Sequence, residues 1–76
     1  MKTTKGLAAR IREYMKKRGI TRGEMAERLG VTTRQLDRYL YRQSSPSLAV
    51  AVLVAEELGV TVQTVTRLIR VDRRAA

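Results

Sequence analysis

The stretch that decides the fold is residues 20–40, which read ITRGEMAERLGVTTRQLDRYL. Two helix starts of the same kind lie within it. Thr21 precedes Glu24 by three residues, and Thr32 precedes Gln35 by the same distance. In this spacing the Thr hydroxyl accepts a hydrogen bond from the third backbone N–H of the helix, and the Glu or Gln side chain bonds back to the cap. The stretch therefore predicts two short helices in close succession.

Helix ends are marked by Gly19, Gly30 and Gly59, each of which follows an apolar segment of helical period. A glycine in the left-handed conformation is common at this position. Thr61 begins a weaker third box, because Thr64 is too short to bond back as Glu or Gln does. These signals predict five helices, at residues 6–18, 22–29, 33–41, 47–58 and 62–70.

The second and third predicted helices are separated by little more than Gly30, so they must cross at a large angle, as in a helix-turn-helix. The expected fold class is all-α, a compact five-helix domain with this motif at its centre. We expect residues 1–76 to form one domain, with residues 1–5 as a basic arm and 71–76 as a basic tail.

The fourth predicted helix contains a run of eight apolar residues, 48–55. A helix that is apolar nearly all round suits a central, buried position. Its valines would equally suit a buried strand, but no second strand is predicted to pair with it. The run is far shorter than the ~20 residues that cross a bilayer. A surface-bound amphipathic helix is also unexpected, because the apolar stripes are needed for the core.

The composition argues against catalysis. The chain has no Cys and no His, which excludes disulfides, metal sites built from these ligands, thiol nucleophiles and the usual general base. Glu56 and Glu57 are adjacent, so on a helix they point ~100° apart and make a poor acid/base pair. We therefore expect no enzyme, no metal and no cofactor. With one small core, a separate site for a small-molecule ligand is not expected either.

Positive charge dominates, and it is unevenly distributed. The net charge is +9. Residues 1–42 carry 12 basic and 4 acidic side chains, residues 43–66 carry 2 acidic and no basic ones, and residues 67–76 carry 4 basic and 1 acidic. Such asymmetry indicates a polyanionic partner, either nucleic acid or an anionic membrane surface. A basic face that serves only solubility is the alternative.

The third predicted helix carries the residues expected to bind DNA bases. At ~100° per residue, Leu36, Tyr39 and Leu40 fall on its core face. Two arginines, one turn apart, lie near the centre of the opposite face. Arg can bond to guanine, Gln to adenine, and the Thr methyl can contact thymine. The predicted base contacts are Thr33, Arg34, Gln35 and Arg38. The alternative is an ordinary solvated face.

A second group of side chains is expected to contact the DNA backbone and fix the register without reading sequence. It comprises one residue of the arm, the caps and start of the two motif helices, and the segment after the third helix. The predicted phosphate contacts are Lys5, Thr21, Arg22, Thr32, Tyr41, Arg42, Gln43 and Ser44. Residues 16–18 are also basic, but an exposed, solvated face explains them equally well.

The chain resembles the Cro and phage-repressor type of helix-turn-helix domain over about residues 7–70. The matching positions are residues 21–32, Leu36, Tyr39, Leu40, residues 46–48 and residues 57–60. The resemblance implies a transcriptional regulator, usually a repressor, that binds operator DNA as a dimer. It also implies base contacts at Thr33, Arg34 and Arg38. Such a protein would act in the cytoplasm, associated with the nucleoid.

Three departures from the family pattern bear on function. Arg22 stands where the family often has Gln. Arginine at this position keeps the phosphate role, but a contact that requires Gln is not expected. Tyr41 and Arg42 replace a pair such as Asn-Gly, so the third helix is expected to run longer or the loop to differ. Ala49 and Leu53 replace polar residues on the outer face of the fourth helix.

An extra apolar patch on a small protein suggests a partner surface. A homodimer through Ala49, Leu53 and the fifth helix is the expectation. A protein-interaction module of antitoxin type, using the same patch, is the competing function. The third possibility is that Leu53 simply packs under the fifth helix or the N-terminal segment.

Overall fold

The computed structural model describes residues 5–41 and 43–75. The helices are α1 (Leu7–Arg18), α2 (Arg22–Leu29), α3 (Thr33–Leu40), α4 (Leu48–Leu58) and α5 (Val62–Ala75). No strand occurs in the part of the chain that is described, and the all-α prediction is confirmed. Helix α3 packs on α1 and α2, α5 packs on α1 and α4, and α2 packs on α4. The five helices thus form a closed ring of contacts in which α3 lies across from the α4–α5 pair.

Both predicted capping boxes are present. The Thr21 hydroxyl accepts from the Glu24 N–H (3.1 Å), and the Glu24 carboxylate accepts from the Thr21 N–H (3.0 Å). Thr32 and Gln35 make the equivalent bonds at 3.1 and 3.2 Å. At the start of α5 the Thr61 hydroxyl accepts from the Thr64 N–H (3.1 Å), while the Thr64 side chain bonds to the Thr61 hydroxyl instead of the backbone.

The glycine ends are also confirmed. Gly19, Gly30 and Gly59 have positive φ and terminate α1, α2 and α4. At the turn between α2 and α3, Gly30 has φ 68°, and the next N–H, from Val31, returns to the Ala26 carbonyl at 3.0 Å. Only residues 30–32 separate the two helices, and side chains of both α2 and α3 enter the same core.

One hydrophobic core joins the five helices. Its members come from every helix and are aliphatic throughout. They are Leu7, Ile11, Met25, Ala26, Leu29, Leu36, Leu40, Ala51, Val54, Ala55, Val65 and Leu68. Ile20 and Val31, which precede the two capping boxes, pack against this core as partly buried residues. The packing of α2 and α3 therefore fixes the angle at which α3 is presented.

The expectation that the fourth helix is central and buried is wrong. Only Ala51, Val54 and Ala55 of α4 are buried, whereas Leu48 and Leu53 are 74% and 39% exposed. The reason is that α4 packs mainly against α2 and α5, so that its opposite face stays exposed. The predicted outward placement of Ala49 and Leu53 is confirmed, since both are exposed. Leu53 is therefore not packed away under α5.

Helix α5 is longer than predicted. It was expected to end at residue 70, followed by a basic tail, but it continues to Ala75. Its last turns are held by Asp72, whose carboxylate accepts a hydrogen bond from the Ala8 N–H at the start of α1 (2.9 Å). The Cβ of any other residue at Gly6 would lie 1.8 Å from this carboxylate. The other helices begin or end within one residue of their predicted bounds.

Candidate nucleic-acid interface

The outward face of α3 carries the four side chains predicted to contact bases. Thr33, Arg34, Gln35 and Arg38 are all exposed. Leu36 and Leu40 on the opposite face are buried, and Tyr39 is partly buried between the two faces. The predicted division of α3 into a core face and an outward polar face is therefore present.

Arg34 and Arg38 are free on this face. Within residues 5–41 and 43–75, neither has a carboxylate within ion-pair distance. They are four residues apart, which separates them by about 6 Å along the helix axis. A guanidinium carries five N–H donors in a rigid fork that can bind two acceptors at once. The face thus presents two adjacent sets of unused donors.

Gln35 has only part of its hydrogen-bonding capacity available. Its side-chain oxygen accepts from the Thr32 N–H in the capping box. The amide NH₂ group remains as a donor, but a bidentate contact with adenine needs both ends of the amide. The Gln35 NH₂ group can therefore donate to a partner while the side-chain oxygen stays bonded to the Thr32 N–H. A rotation that turned the whole amide toward the partner would break that capping bond.

Arg22 is held against α3 by an ion pair that the sequence analysis missed. Its guanidinium lies 3.1 Å from the carboxylate of Asp37, across the turn between the helices. An exposed pair of this kind contributes at most about 1 kcal/mol. The pair directs the Arg22 side chain along the side of α3. Most of the guanidinium N–H donors remain available for another partner. The fifteen-residue separation leaves no periodic signal in the sequence.

The C-terminal end of α3 is stabilised by Arg12 of α1. Its guanidinium donates to the Leu40 carbonyl and lies 5.5 Å from the centre of the Tyr41 ring. Tyr41 ends the helix with φ −99° and ψ 11°, so no left-handed residue stands at this position. The predicted extension to residue 41 is thus wrong by one residue, and a side chain from α1 supplies the missing C-terminal bond.

The segment after α3 is exposed where the structure describes it. Tyr41 is 61% exposed, and Gln43 and Ser44 are exposed as well. The Gln43 N–H donates to the Arg38 carbonyl at 2.8 Å, which keeps the segment close to the end of α3. These three predicted phosphate contacts follow the outward face directly. The fourth in this segment, Arg42, lies outside the described residues.

Lys5 lies elsewhere. It forms an ion pair with Glu13 of α1. This hydrogen bond from the ammonium group lowers the pKa of Glu13. Lys5 also lines a cleft with Arg10, Tyr14 and Leu58, to which no residue of α3 contributes. Among the described residues, Lys5 is therefore the one predicted phosphate contact that does not lie beside the helix-turn-helix.

Glu57 serves the fold. Its carboxylate accepts from the Tyr14 hydroxyl and lies 2.8 Å from Arg28, so it joins α1, α2 and α4. The hydrogen bond from Tyr14, followed by that from Arg28, lowers the pKa of Glu57. The same bond to Glu57 raises the pKa of Tyr14. The sequence suggested only a poor acid/base pair with Glu56. It gave no sign of this structural role, because the two partners of Glu57 are 43 and 29 residues away.

Two further features, potential metal ligands and potential membrane spans, concern residues 5–41 and 43–75 only. No group of three or more carboxylates there could hold a metal ion. No single helix there is long and apolar enough to cross a membrane, and α4 and α5 reach the required length only together, across a bend of 111°.

Comparison with known proteins agrees with this geometry. A family model described as helix-turn-helix matches residues 11–65. A curated protein of Methanothermobacter thermautotrophicus, named as an uncharacterized HTH-type transcriptional regulator, is 43% identical over 49 residues. The alignment covers 64% of this chain and 71% of that protein. No solved structure matches the chain.

Proposed function

The chain belongs to the Cro and phage-repressor type of helix-turn-helix DNA-binding domains, and we propose that it is a transcriptional regulator that binds double-stranded DNA sequence-specifically. The observation that carries the proposal is the outward face of α3, where Arg34 and Arg38 are exposed and have no ion-pair partner among the described residues, on a helix held at both ends. The name of the archaeal relative, a transcriptional regulator, supports the same role.

We propose that α3 enters the major groove and that its two arginines read bases. Their ~6 Å separation along the helix is close to two steps of ~3.4 Å along the DNA, so it suits bases about two pairs apart. Each guanidinium can bond to O6 and N7 of guanine, and the Thr33 methyl can contact a thymine methyl. Gln35 is proposed to contribute through its NH₂ group, because its oxygen is engaged in the cap.

Phosphate contacts are proposed from the residues that surround α3. Arg22 lies along the side of α3, Tyr41, Gln43 and Ser44 follow its C-terminal end, and the hydroxyls of Thr21 and Thr32 retain a hydrogen to donate. These contacts would fix the register of α3 without reading sequence. Occupation of a promoter by such a domain would exclude polymerase, so the proposed outcome is repression. The site of action would be the nucleoid.

The test is selection from a random-sequence duplex pool at near-physiological salt, followed by sequencing of the retained DNA. We expect an enriched motif that contains guanines. Arg38→Ala should weaken binding to that motif by about 1–3 kcal/mol and relax one base position. Arg67→Ala, at an exposed position of α5, is the control for loss of one charge. Retention of DNA without any enrichment would contradict sequence-specific recognition.

We further propose that two copies pair through the outward face of α4. This face is mainly apolar, with Leu48, Ala49, Val52 and Leu53 all exposed, and it also carries the exposed Glu56. Residues 43–66 contain no basic side chain, whereas the exposed face of α5 carries Arg67 and Arg70. Because each copy has a net charge of +9, repulsion disfavours pairing through α5 and favours α4.

Sedimentation equilibrium tests this pairing. We expect a wild-type dimer and a monomeric Leu53→Glu variant, since a buried unpaired carboxylate is costly. Gln63→Glu adds the same charge on α5 and should leave the dimer intact. A symmetric DNA motif with half-sites ~34–36 Å apart would agree with a dimer. A wild-type monomer would contradict it, and stoichiometric co-purification of another protein without DNA preference would support the antitoxin-type function.

A further inference from the structure

The last turns of α5 lie beside the segment that follows α3, and they lie beyond the residues matched by the helix-turn-helix family model. That match ends at residue 65, whereas α5 continues to Ala75. Asp72 fixes the end of α5 against the start of α1 through the Ala8 N–H. In the same turn, the Arg73 guanidinium donates to the Ser45 hydroxyl at 3.3 Å. The end of α5 is therefore anchored, and Arg73 extends from it toward the loop.

Arg73 and the loop after α3 both line a cleft of about 230 Å³. Hydrogen-bonding groups of Gln43, Ser44, Ser45 and Arg73 form part of this lining. Its remaining lining consists of Leu7, Tyr39, Pro46, Ile69 and Asp72. Since Tyr39 belongs to α3, the cleft lies directly beside the helix proposed to enter the major groove.

The cleft has the chemistry of a phosphate site. Arg73 uses one N–H of its five on Ser45, and within the described residues no carboxylate lies within ion-pair distance of it. The one acidic neighbour in the cleft, Asp72, has an oxygen bonded to the Ala8 N–H, at the positive end of α1. Gln43 and Ser44 are already proposed to contact phosphate, but neither carries a charge.

We propose that Arg73 is a phosphate-binding residue of the DNA interface, and that it supplies the charge for a single backbone phosphate bound by Gln43, Ser44 and Arg73. The inference rests on the proposed DNA-binding function. Ser45 acts as a positioning residue, because its hydroxyl holds the Arg73 guanidinium in the lining of the cleft. A contact of this kind adds affinity for every duplex sequence alike and extends the footprint past the recognition helix.

The salt dependence of duplex binding by Arg73→Gln tests the proposal. Glutamine removes the charge but still reaches Ser45, so the fold is preserved. Because each phosphate neutralised contributes about 0.9 to the slope of log K against log salt, we expect the slope to fall by about 0.9. This corresponds to an affinity loss that grows about eightfold for each tenfold dilution of salt. The loss should be equal on the selected motif and on a random duplex.

Arg67→Gln is the matched control, because it removes one charge from the exposed face of the same helix, away from the loop. Its slope should change by much less than 0.9. An unchanged salt slope for Arg73→Gln, or an equal change in slope for both variants, would overturn the role proposed for Arg73. Binding of duplex DNA by the wild-type protein would in that case still support the proposed function. Failure of the wild-type protein to bind duplex DNA would overturn both.

Discussion

At the scale of the residue, Arg12 stabilises the C-terminal end of α3, which is followed by Tyr41 and not by a glycine. Its guanidinium bonds to the Leu40 carbonyl and stacks on Tyr41. We expect Arg12→Ala to lower the free energy of unfolding by about 1–2 kcal/mol, since a hydrogen bond to a charged group and a cation–π contact are both lost. Urea denaturation measures this loss.

The same variant should speed hydrogen exchange at the amides of Tyr41 and Gln43, which bond back to α3. Arg10→Ala is the matched control, because Arg10 is exposed on the same helix and makes no contact with the end of α3. Equal destabilisation by the two substitutions would show that Arg12 acts only through its contribution to helix α1.

At the scale of the element, α1 and α5 stabilise each other through Asp72 and Gly6. The carboxylate takes the place of an N-cap side chain, which Gly6 cannot provide. We expect Asp72→Ala to cost about 1 kcal/mol, because a helix start loses both a cap and a favourable charge. For a domain of this length, that lowers the melting temperature by about 4–8 °C, measurable by circular dichroism.

Gly6→Ala should also destabilise, because its Cβ would lie 1.8 Å from the Asp72 carboxylate and force it away. In an Asp72→Ala background the same change should cost much less, so the two substitutions are expected to be non-additive. Additive losses would mean that Gly6 is required for another reason.

Gly23→Ala is the matched control for a glycine near a helix start. Gly23 lies inside α2, and the nearest atom to an added Cβ is the Thr21 hydroxyl oxygen at 4.0 Å. Alanine should therefore raise the stability by about 0.5–1 kcal/mol, as at an unhindered helix position. A loss of stability on thermal melting would contradict this view of the α2 start.

At the scale of the whole molecule, hydrogen-bonded ionisable groups predict how stability depends on pH. Hydrogen bonds to Glu13, Glu24 and Glu57 lower their pKa values in the folded chain. Their contribution is complete above the unfolded value of ~4.3 and is lost as pH falls through the lower folded values. The pKa of Tyr14 is raised, so its contribution is complete below ~10 and is lost as pH rises through the folded value.

We therefore expect the free energy of unfolding to be nearly constant between about pH 6 and 9 and to decline on both sides. Glu57→Gln should shrink both declines, because it removes the carboxylate that Tyr14 and Arg28 share. Glu56→Gln, at the exposed neighbouring position, removes the same charge and is the control. Urea titrations across this pH range make the comparison, and identical profiles for the two variants would contradict the assignment.

The sequence by itself determined where all five helices begin to within one residue, where α1, α2 and α4 end, and which face of α3 turns outward. Thr21, Thr32 and Gly30 act through bonds to residues three to five positions away, so their pattern is complete within a short window. The division of α3 follows from helical period, which is equally local. Arg34 and Arg38 could therefore be placed before any tertiary contact was known.

Only the tertiary structure decided how far α5 runs, what ends α3, which face of α4 stays exposed and which basic residues are paired. Asp72 meets Ala8 over 64 positions, Arg12 meets Leu40 over 28, and Arg73 meets Ser45 over 28. Such contacts depend on how α1, α3 and α5 pack, and single side chains give no periodic sign of them. Helix packing thus joined the end of α5 to the proposed DNA interface, because it alone brings distant segments within bonding distance.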